Sequence, residues 1–221
     1  MGQHGGVKIA IDGLRNLYDF SNLSSYAGSG NTVYDLISKL HHSLVSVTSA
    51  GSGSSIAISF AGAGFSTYSL SNMGLSGGYS RTVSCWVKFN SASGNQAILG
   101  QGSSGTATGA DLVRHDGIFK LFSGAGYNSS GVGISTAGQW FFLTSAYAPF
   151  SVELYVNAGV PTTTIGFPLT TDSPLRFGVS VAPVTHPNLD GQMAMVQFYN
   201  RRLTPREIQN IYDATKKRFG L

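Results

Sequence analysis

Glu153 and Glu207 are the only glutamates in the 221 residues. Cleaving a glycosidic bond requires an acid and a nucleophile or base about 5–10 Å apart across that bond, a spacing that alternate positions of one strand would supply. Glu153 stands alone in a strand-like run, Glu207 falls inside a helix-cap motif, and no strand carries two carboxylates at period two. A serine nucleophile is equally unsupported. No Gly-x-Ser-x-Gly stretch precedes a helix with His and Asp following in order, and Gly102-Ser103-Ser104-Gly105 reads as a flexible loop. The chain is therefore not expected to be an enzyme.

Metal and ligand sites have few candidates. His41 and His42 are adjacent, so on a strand they point in opposite directions and would hold a metal only with ligands from elsewhere; surface or loop histidines are the better reading. His115-Asp116-Gly117 reads as a turn. Asp190 and Asn188, joined by Asp111 or Asp116 from another loop, could place oxygens around Ca²⁺, although Asp190-Gly191 is also an ordinary turn before a strand. No cofactor is expected beyond that calcium ion. Trp86 lies by alternation with Thr82, Ser84 and Lys88 rather than with the apolar set. A loop, the C-terminal helix or a partner then covers it, the preferred reading for so large an aromatic, or else it is free to stack on a sugar ring. Tyr127, Asn128 and the loop 101–111 complete the candidates for glycan contact.

These residues are carried mainly by short strands. Ile56, Ile58 and Phe60 alternate with Ala57 and Ser59; Val83, Cys85, Val87 and Phe89 alternate with Thr82, Ser84, Trp86 and Lys88. Val152–Val156, Leu175–Val181 and Ala194–Phe198 repeat the pattern. Asn157-Ala158-Gly159 and His115-Asp116-Gly117 supply hairpin turns. A dozen or so such runs predict a large all-β antiparallel sandwich. One helix, about residues 204–218, is announced by the capping pair Thr204 and Glu207 around Pro205. Ile208, Ile211, Tyr212 and Thr215 recur at helical spacing, and Gly220 can end it.

Composition narrows the class. Charged residues make up 11% of the chain, well below the roughly 25% usual in soluble domains. Ser, Thr and Gly are abundant, yet 42% hydrophobic residues rule out general disorder. Residues 1–200 are charge-balanced, so the net charge of +4 lies in the last 21 residues, where Lys216, Lys217 and Arg218 complement the negative end of the helix dipole. A nucleic-acid partner is accordingly not expected. The lone Cys85 forms no internal disulfide, and neither a secretory signal nor a membrane-spanning run is apparent, so synthesis in the cytoplasm is expected.

Particular stretches resemble a known family. Leu17-Tyr18-Asp19-Phe20-Ser21-Asn22-Leu23, Val83-Ser84-Cys85-Trp86-Val87-Lys88, Gly138-Gln139-Trp140-Phe141-Phe142, Leu154-Tyr155-Val156-Asn157 and Leu189-Asp190-Gly191-Gln192-Met193-Ala194-Met195-Val196-Gln197-Phe198-Tyr199 follow in the order of laminin-G-like, concanavalin A-like jelly-roll domains of bacteriophage and environmental viral proteins. The last stretch, running on through Thr204-Pro205-Arg206-Glu207, is the most specific. The resemblance covers residues 15–221 and implies a two-sheet jelly roll, with residues 1–14 as an N-terminal arm or edge strand. Many relatives carry an acidic metal loop after the strand matching Ile56–Phe60. This chain has Phe60-Ala61-Gly62-Ala63-Gly64-Phe65 there, without carboxylates.

The resemblance and the scarce charge together lead to the expectation of a non-enzymatic virion structural protein. It would be a head decoration or tail component of a tailed phage, assembled in the host cytoplasm and partnered by copies of itself and other virion proteins. The alternative is a lectin-like adhesin for host-surface polysaccharide. Val7, Ile9 and Ile11 alternate with Lys8, Ala10 and Asp12, so the arm is expected to pair at an edge or reach a neighbouring subunit.

Overall fold

An alternating strand with tryptophan on its supposedly polar side must find a second apolar surface, and the fold supplies one. The computed structural model describes residues 9–39, 41–53, 56–68, 79–102, 109–123, 126–127, 131–133, 135–165, 175–181 and 186–221. Its strands are β1 (Leu14–Asp19), β2 (Thr32–Tyr34), β3 (His41–Ala50), β4 (Ala57–Tyr68), β5 (Arg81–Phe89), β6 (Gln96–Gly102), β7 (Gly109–His115), β8 (Ile118–Ser123), β9 (Gly126–Tyr127), β10 (Trp140–Ala148), β11 (Ser151–Val156), β12 (Thr162–Ile165), β13 (Arg176–Phe177) and β14 (Asp190–Tyr199). Helix α1 (Pro205–Thr215) and a 3₁₀ turn (Lys216–Phe219) close the chain. Nine strands form one antiparallel sheet in the order β12-β11-β10-β5-β14-β4-β3-β2, with β1 paired to the second half of β14. The other sheet has five, ordered β13-β6-β7-β8-β9. This is the expected two-sheet sandwich with one C-terminal helix.

Between the sheets lies the main core. Val83, Cys85, Val87 and Phe89 of β5 meet Ile98, Leu112, Phe119 and Phe177 of the smaller sheet. Full burial pushes the Cys85 thiol up, so it stays protonated.

On the opposite face of the large sheet, Trp86 is 0% exposed and packs with Phe142, Tyr155, Tyr199, Ile208, Ile211 and Phe219. Its indole Nε1 donates to Thr215 Oγ1 at 2.9 Å, and Phe219 stacks on it with ring centroids 4.3 Å apart. The covered reading of Trp86 therefore holds, and its role as a sugar platform is corrected: α1 and the 3₁₀ turn occupy that face. The capping box is formed as expected, with Glu207 N donating to Thr204 Oγ1 at 3.3 Å and Thr204 N donating to Glu207 Oε2 at 2.8 Å. Gly220 ends the 3₁₀ turn with a left-handed φ of 76°. The basic residues are tied down too: Arg218 donates to both oxygens of Asp19 at 3.0 and 2.8 Å, and Lys216 pairs with Asp213 at 2.6 Å.

Four local expectations need revision. Leu175–Val181 is a strand only at β13, because the chain turns at Gly178 (φ 73°), although Leu175, Phe177 and Val181 remain buried. Residues 61–65 are not a loop: β4 runs on through them to Tyr68, past an irregularity opposite Val45/Val47. His41 and His42 lie on β3, and His42 is fully buried. In the arm, residues 9–13 form no strand. Ile9 and Ala10 instead pack against the Trp86 cluster, with Tyr199 Oη donating to Ala10 O at 3.0 Å.

The second core predicts that Trp86→Ala costs about 3–5 kcal/mol, as for other large buried aromatics. Thr215→Val, which removes the indole's acceptor together with the Thr215 hydroxyl's own bond to Ile211 O at 2.8 Å, should cost about 1–2 kcal/mol. Urea denaturation measures both; a loss below about 1 kcal/mol for Trp86→Ala would show that the helical layer contributes little.

Candidate functional site

The two glutamates are structurally committed. Glu153 accepts a hydrogen bond from Tyr155 Oη at 2.6 Å and pairs with Arg202; burial opposes its ionisation, but these two donors hold its carboxyl below the usual range. Arg201 donates to both oxygens of Glu207 at 3.0 and 2.6 Å, and this contact, with the Thr204 cap, keeps the Glu207 carboxyl at about 2. Both carboxylates are thus engaged by basic or hydroxyl partners that favour their ionised form.

The expected calcium ligands are not brought together. Asp111 is buried on β7, where it accepts from Val181 N at 2.9 Å and from Ser180 Oγ. Asp190 begins β14, accepting from Asn90 Nδ2 at 2.7 Å while its backbone N–H donates to Gln96 Oε1 at 3.0 Å. Gly100, opposite Asp111, and Gln96, whose side chain meets Asp190, stand four residues apart on β6, so the two aspartates are held at different positions along the strand. Asn188 sits half-buried in the segment before β14. Asp116 faces His115, whose Nε2 lies 3.1 Å from Asp116 Oδ2 and whose Nδ1 lies 3.1 Å from His186 Nε2. Among the described residues no three His, Cys, Asp or Glu side chains converge. Of the glycan candidates, Tyr127 lies on the edge strand β9, opposite Phe122, and Asn128 falls outside the described residues.

The structure assembles a different constellation, at the end of the sandwich where β5 starts and β6 and β10 finish. Arg81 opens β5 on its core-facing side, in register with Tyr147 of β10. Its guanidinium lies 3.9 Å from the centroid of the Tyr147 ring, and Nε crosses to the smaller sheet to donate to Gln101 Oε1 at 3.1 Å. Nη1 makes a long contact to Tyr79 O at 3.4 Å. Burial raises the Tyr147 phenol, so it remains neutral and does not cancel the charge. Gly100 lets the next segment approach: a Cβ there would sit 2.7 Å from Val179 O. That approach delivers Ser180 and Val181 to Asp111.

Two aromatics close in the chain to members of this buried polar group stand exposed. Tyr79, two residues before Arg81, is 68% exposed, as is Phe150 in the tight turn joining β10 to β11. Phe150 holds a left-handed φ of 62°, a costly conformation for a bulky side chain. Neither Tyr79 nor Arg81 was singled out in the sequence. The available signal was Tyr79-Ser80-Arg81 placed directly before an apolar strand, which puts an arginine on the core-facing parity of Val83 and Cys85.

The opposite end of β5 shows what a purely structural arginine looks like. Arg114 Nε and Nη2 donate to Gly94 O at 3.1 and 2.6 Å, the remaining donors reach Ser91 O and Ser93 O, and the group lies over Phe89. It fastens loop 90–95, and each of its three nitrogens has a carbonyl partner.

Residues 61–209 match the profile of the concanavalin A-like lectin/glucanases superfamily. The chain belongs to this superfamily. Its fold is shared by domain 4 of AbnA, a GH43 extracellular arabinanase from Geobacillus stearothermophilus solved in complex with arabinotriose (TM-score 0.71, 18% identity, covering 90% of this chain and 98% of that one). Trypanosoma rangeli sialidase, solved as a covalent intermediate with 2,3-difluorosialic acid, matches at a TM-score of 0.73 and 18% identity, over 99% of this chain but 35% of the sialidase. A mutant of that sialidase displaying trans-sialidase activity matches at 0.69 and 18%, over 95% of this chain and 34% of that one. The chain thus spans about a third of the sialidases and nearly all of the arabinanase domain. At such identity the likeness is one of fold. No curated protein matches.

Within this superfamily fold His42 acts in packing. Its ring stacks on Phe177 with centroids 4.4 Å apart and meets Tyr18 edge-on. Burial, helped by neighbouring His41, presses its pKa from 6.5 to about 3. The unfolded chain takes up this proton first, so the stability is fully present above about pH 6.5 and is lost as pH falls from there towards 3, at up to about 1.4 kcal/mol per pH unit. His42→Phe should flatten that part of the stability–pH curve in urea titrations; an unchanged slope would refute the assignment.

Proposed function

We propose that the chain is a non-catalytic, lectin-like carbohydrate-binding jelly roll whose ligand meets the rim formed by Tyr79, Phe150 and the Arg81–Tyr147–Gln101 group. The observation that carries this reading is the pairing of two exposed aromatics with a buried polar group at one end of the sandwich. Apolar ring faces take up the C–H face of a sugar, while fixed polar groups orient its oxygens. The engaged states of Glu153 and Glu207 support binding without turnover. The arabinanase domain of matching length, solved with a trisaccharide, supports the same reading.

The second reading is a virion building block of a tailed phage, assembled in the host cytoplasm among copies of itself. The sparse charge favours it, since 11% charged residues suits a surface covered by neighbours. The two readings are compatible, because a particle carrying many copies would gain avidity from weak individual sites.

A glycan array followed by calorimetry tests the first. Tyr79→Ala and Phe150→Ala should each weaken the recognised glycan about tenfold, which is about 1.4 kcal/mol, while leaving the melting temperature of these exposed positions nearly unchanged. Binding unaffected by both changes would move the site elsewhere, and no binding across neutral and acidic glycans would refute the proposal.

A further inference from the structure

The arginines of the chain divide by how their charge is met. Arg201 and Arg218 each form two-pronged contacts with a carboxylate, and Arg202 pairs with Glu153. In Arg114 every guanidinium nitrogen donates to a carbonyl. Arg81 is different: it is 3% exposed, forms no ion pair among the described residues, and its Nη2 has no hydrogen-bond partner. A guanidinium removed from water without a counter-charge costs several kcal/mol. Asp111, the carboxylate of the same rim, is occupied by Val181 N and Ser180 Oγ. The neighbouring acceptors are neutral: Gln101 Oε1, the distant Tyr79 O and the phenol of Tyr147, which favours the charged form of Arg81.

Such a planar fork matches an oxyanion with two acceptor oxygens. Nη1, held only by the 3.4 Å contact, and the unpartnered Nη2, buried from solvent in this structure, form the less engaged side of that fork, and the carbonyl to be displaced on opening it belongs to the residue whose ring stands in solvent. We infer that Arg81 receives the carboxylate of an acidic glycan of the uronate type, with Tyr79 against the sugar ring. This rests on the carbohydrate-binding reading and names its ligand class. Tyr147 and Gln101 act as positioning residues: one stacks on the guanidinium and the other fixes Nε, so the Nη groups keep their direction.

The test uses D-glucuronate, D-glucose, sodium acetate and sodium sulfate as probes on the full chain. Two-dimensional NMR follows the Arg81 Nε–H resonance of the unaltered protein, which avoids dependence on a variant that fails to fold. Glucuronate should shift this resonance and bind at least tenfold more tightly than glucose, and acetate should compete with it. Arg81→Gln should abolish the preference for glucuronate over glucose. Equal binding of the two sugars, or sugar binding that leaves the Arg81 signal unmoved, would overturn the acidic-ligand assignment while leaving the carbohydrate-binding reading intact. A shift caused by sulfate or acetate but not by glucuronate would make this a free-anion site and overturn the glycan assignment. If neither sugar nor anion binds, both readings fail.

Discussion

The indole of Trp86, closed under the C-terminal helix, makes this sandwich a three-layered molecule. A large antiparallel sheet can leave one face to water, but here β5, β10 and β14 place Trp86, Phe142 and Tyr199 on that face. The bond from Trp86 Nε1 to Thr215 Oγ1 satisfies the one polar atom of the indole and fixes the end of α1 over it. The order of the layers follows from this contact. β14 sits beside β5, the chain leaves β14 into the helix, and the N-terminal residues Ile9 and Ala10 fill the remaining apolar surface.

The charged groups are arranged around the same layer. Arg201 and Glu207 lock the helix start, Arg202 reaches Glu153 on β11, and Arg218 returns the last turn to Asp19 at the end of β1. Asp35 plays a related role at the edge, where its buried carboxylate accepts from Leu17 N at 2.8 Å, Asn16 Nδ2 at 2.5 Å and Ile37 N at 3.0 Å. Many of the few charges thus join elements distant in sequence. Against this background Arg81 stands apart: like Arg114 it is buried without a carboxylate, but its Nη2 also lacks a hydrogen-bond partner, and burial without a counter-charge opposes folding.

Much of the fold was legible from local signals. Strand alternation in Val83–Phe89 and Val152–Val156, the turns at Asp116-Gly117 and Asn157-Ala158, and the Thr204–Glu207 cap all depend on residues within a few positions of each other. The site was much less legible. Asp111, Asn188 and Asp190 looked alike as oxygen donors, yet strand register separates Asp111 from Asp190. His42 looked like a surface residue because its neighbours are polar, although parity on β3 turns it onto Phe177 of the other sheet. Residues 61–65 were expected as a loop because the resembling family carries one there, whereas in this chain pairing with β3 carries β4 through them.

By itself the sequence determined which side chains share a face, where the helix begins, and that no strand-like run carries two carboxylates at period two. Only the tertiary structure decided what covers each face and which polar groups meet. The reason is physical. Period-two geometry assigns Trp86 and Arg81 to opposite faces of β5, but the fate of each depends on a partner far along the chain: Thr215 is 129 positions from Trp86 and Gln101 is 20 from Arg81. Whether a side chain is sealed, paired or left with an open donor is a property of those long-range contacts, and no local pattern encodes it.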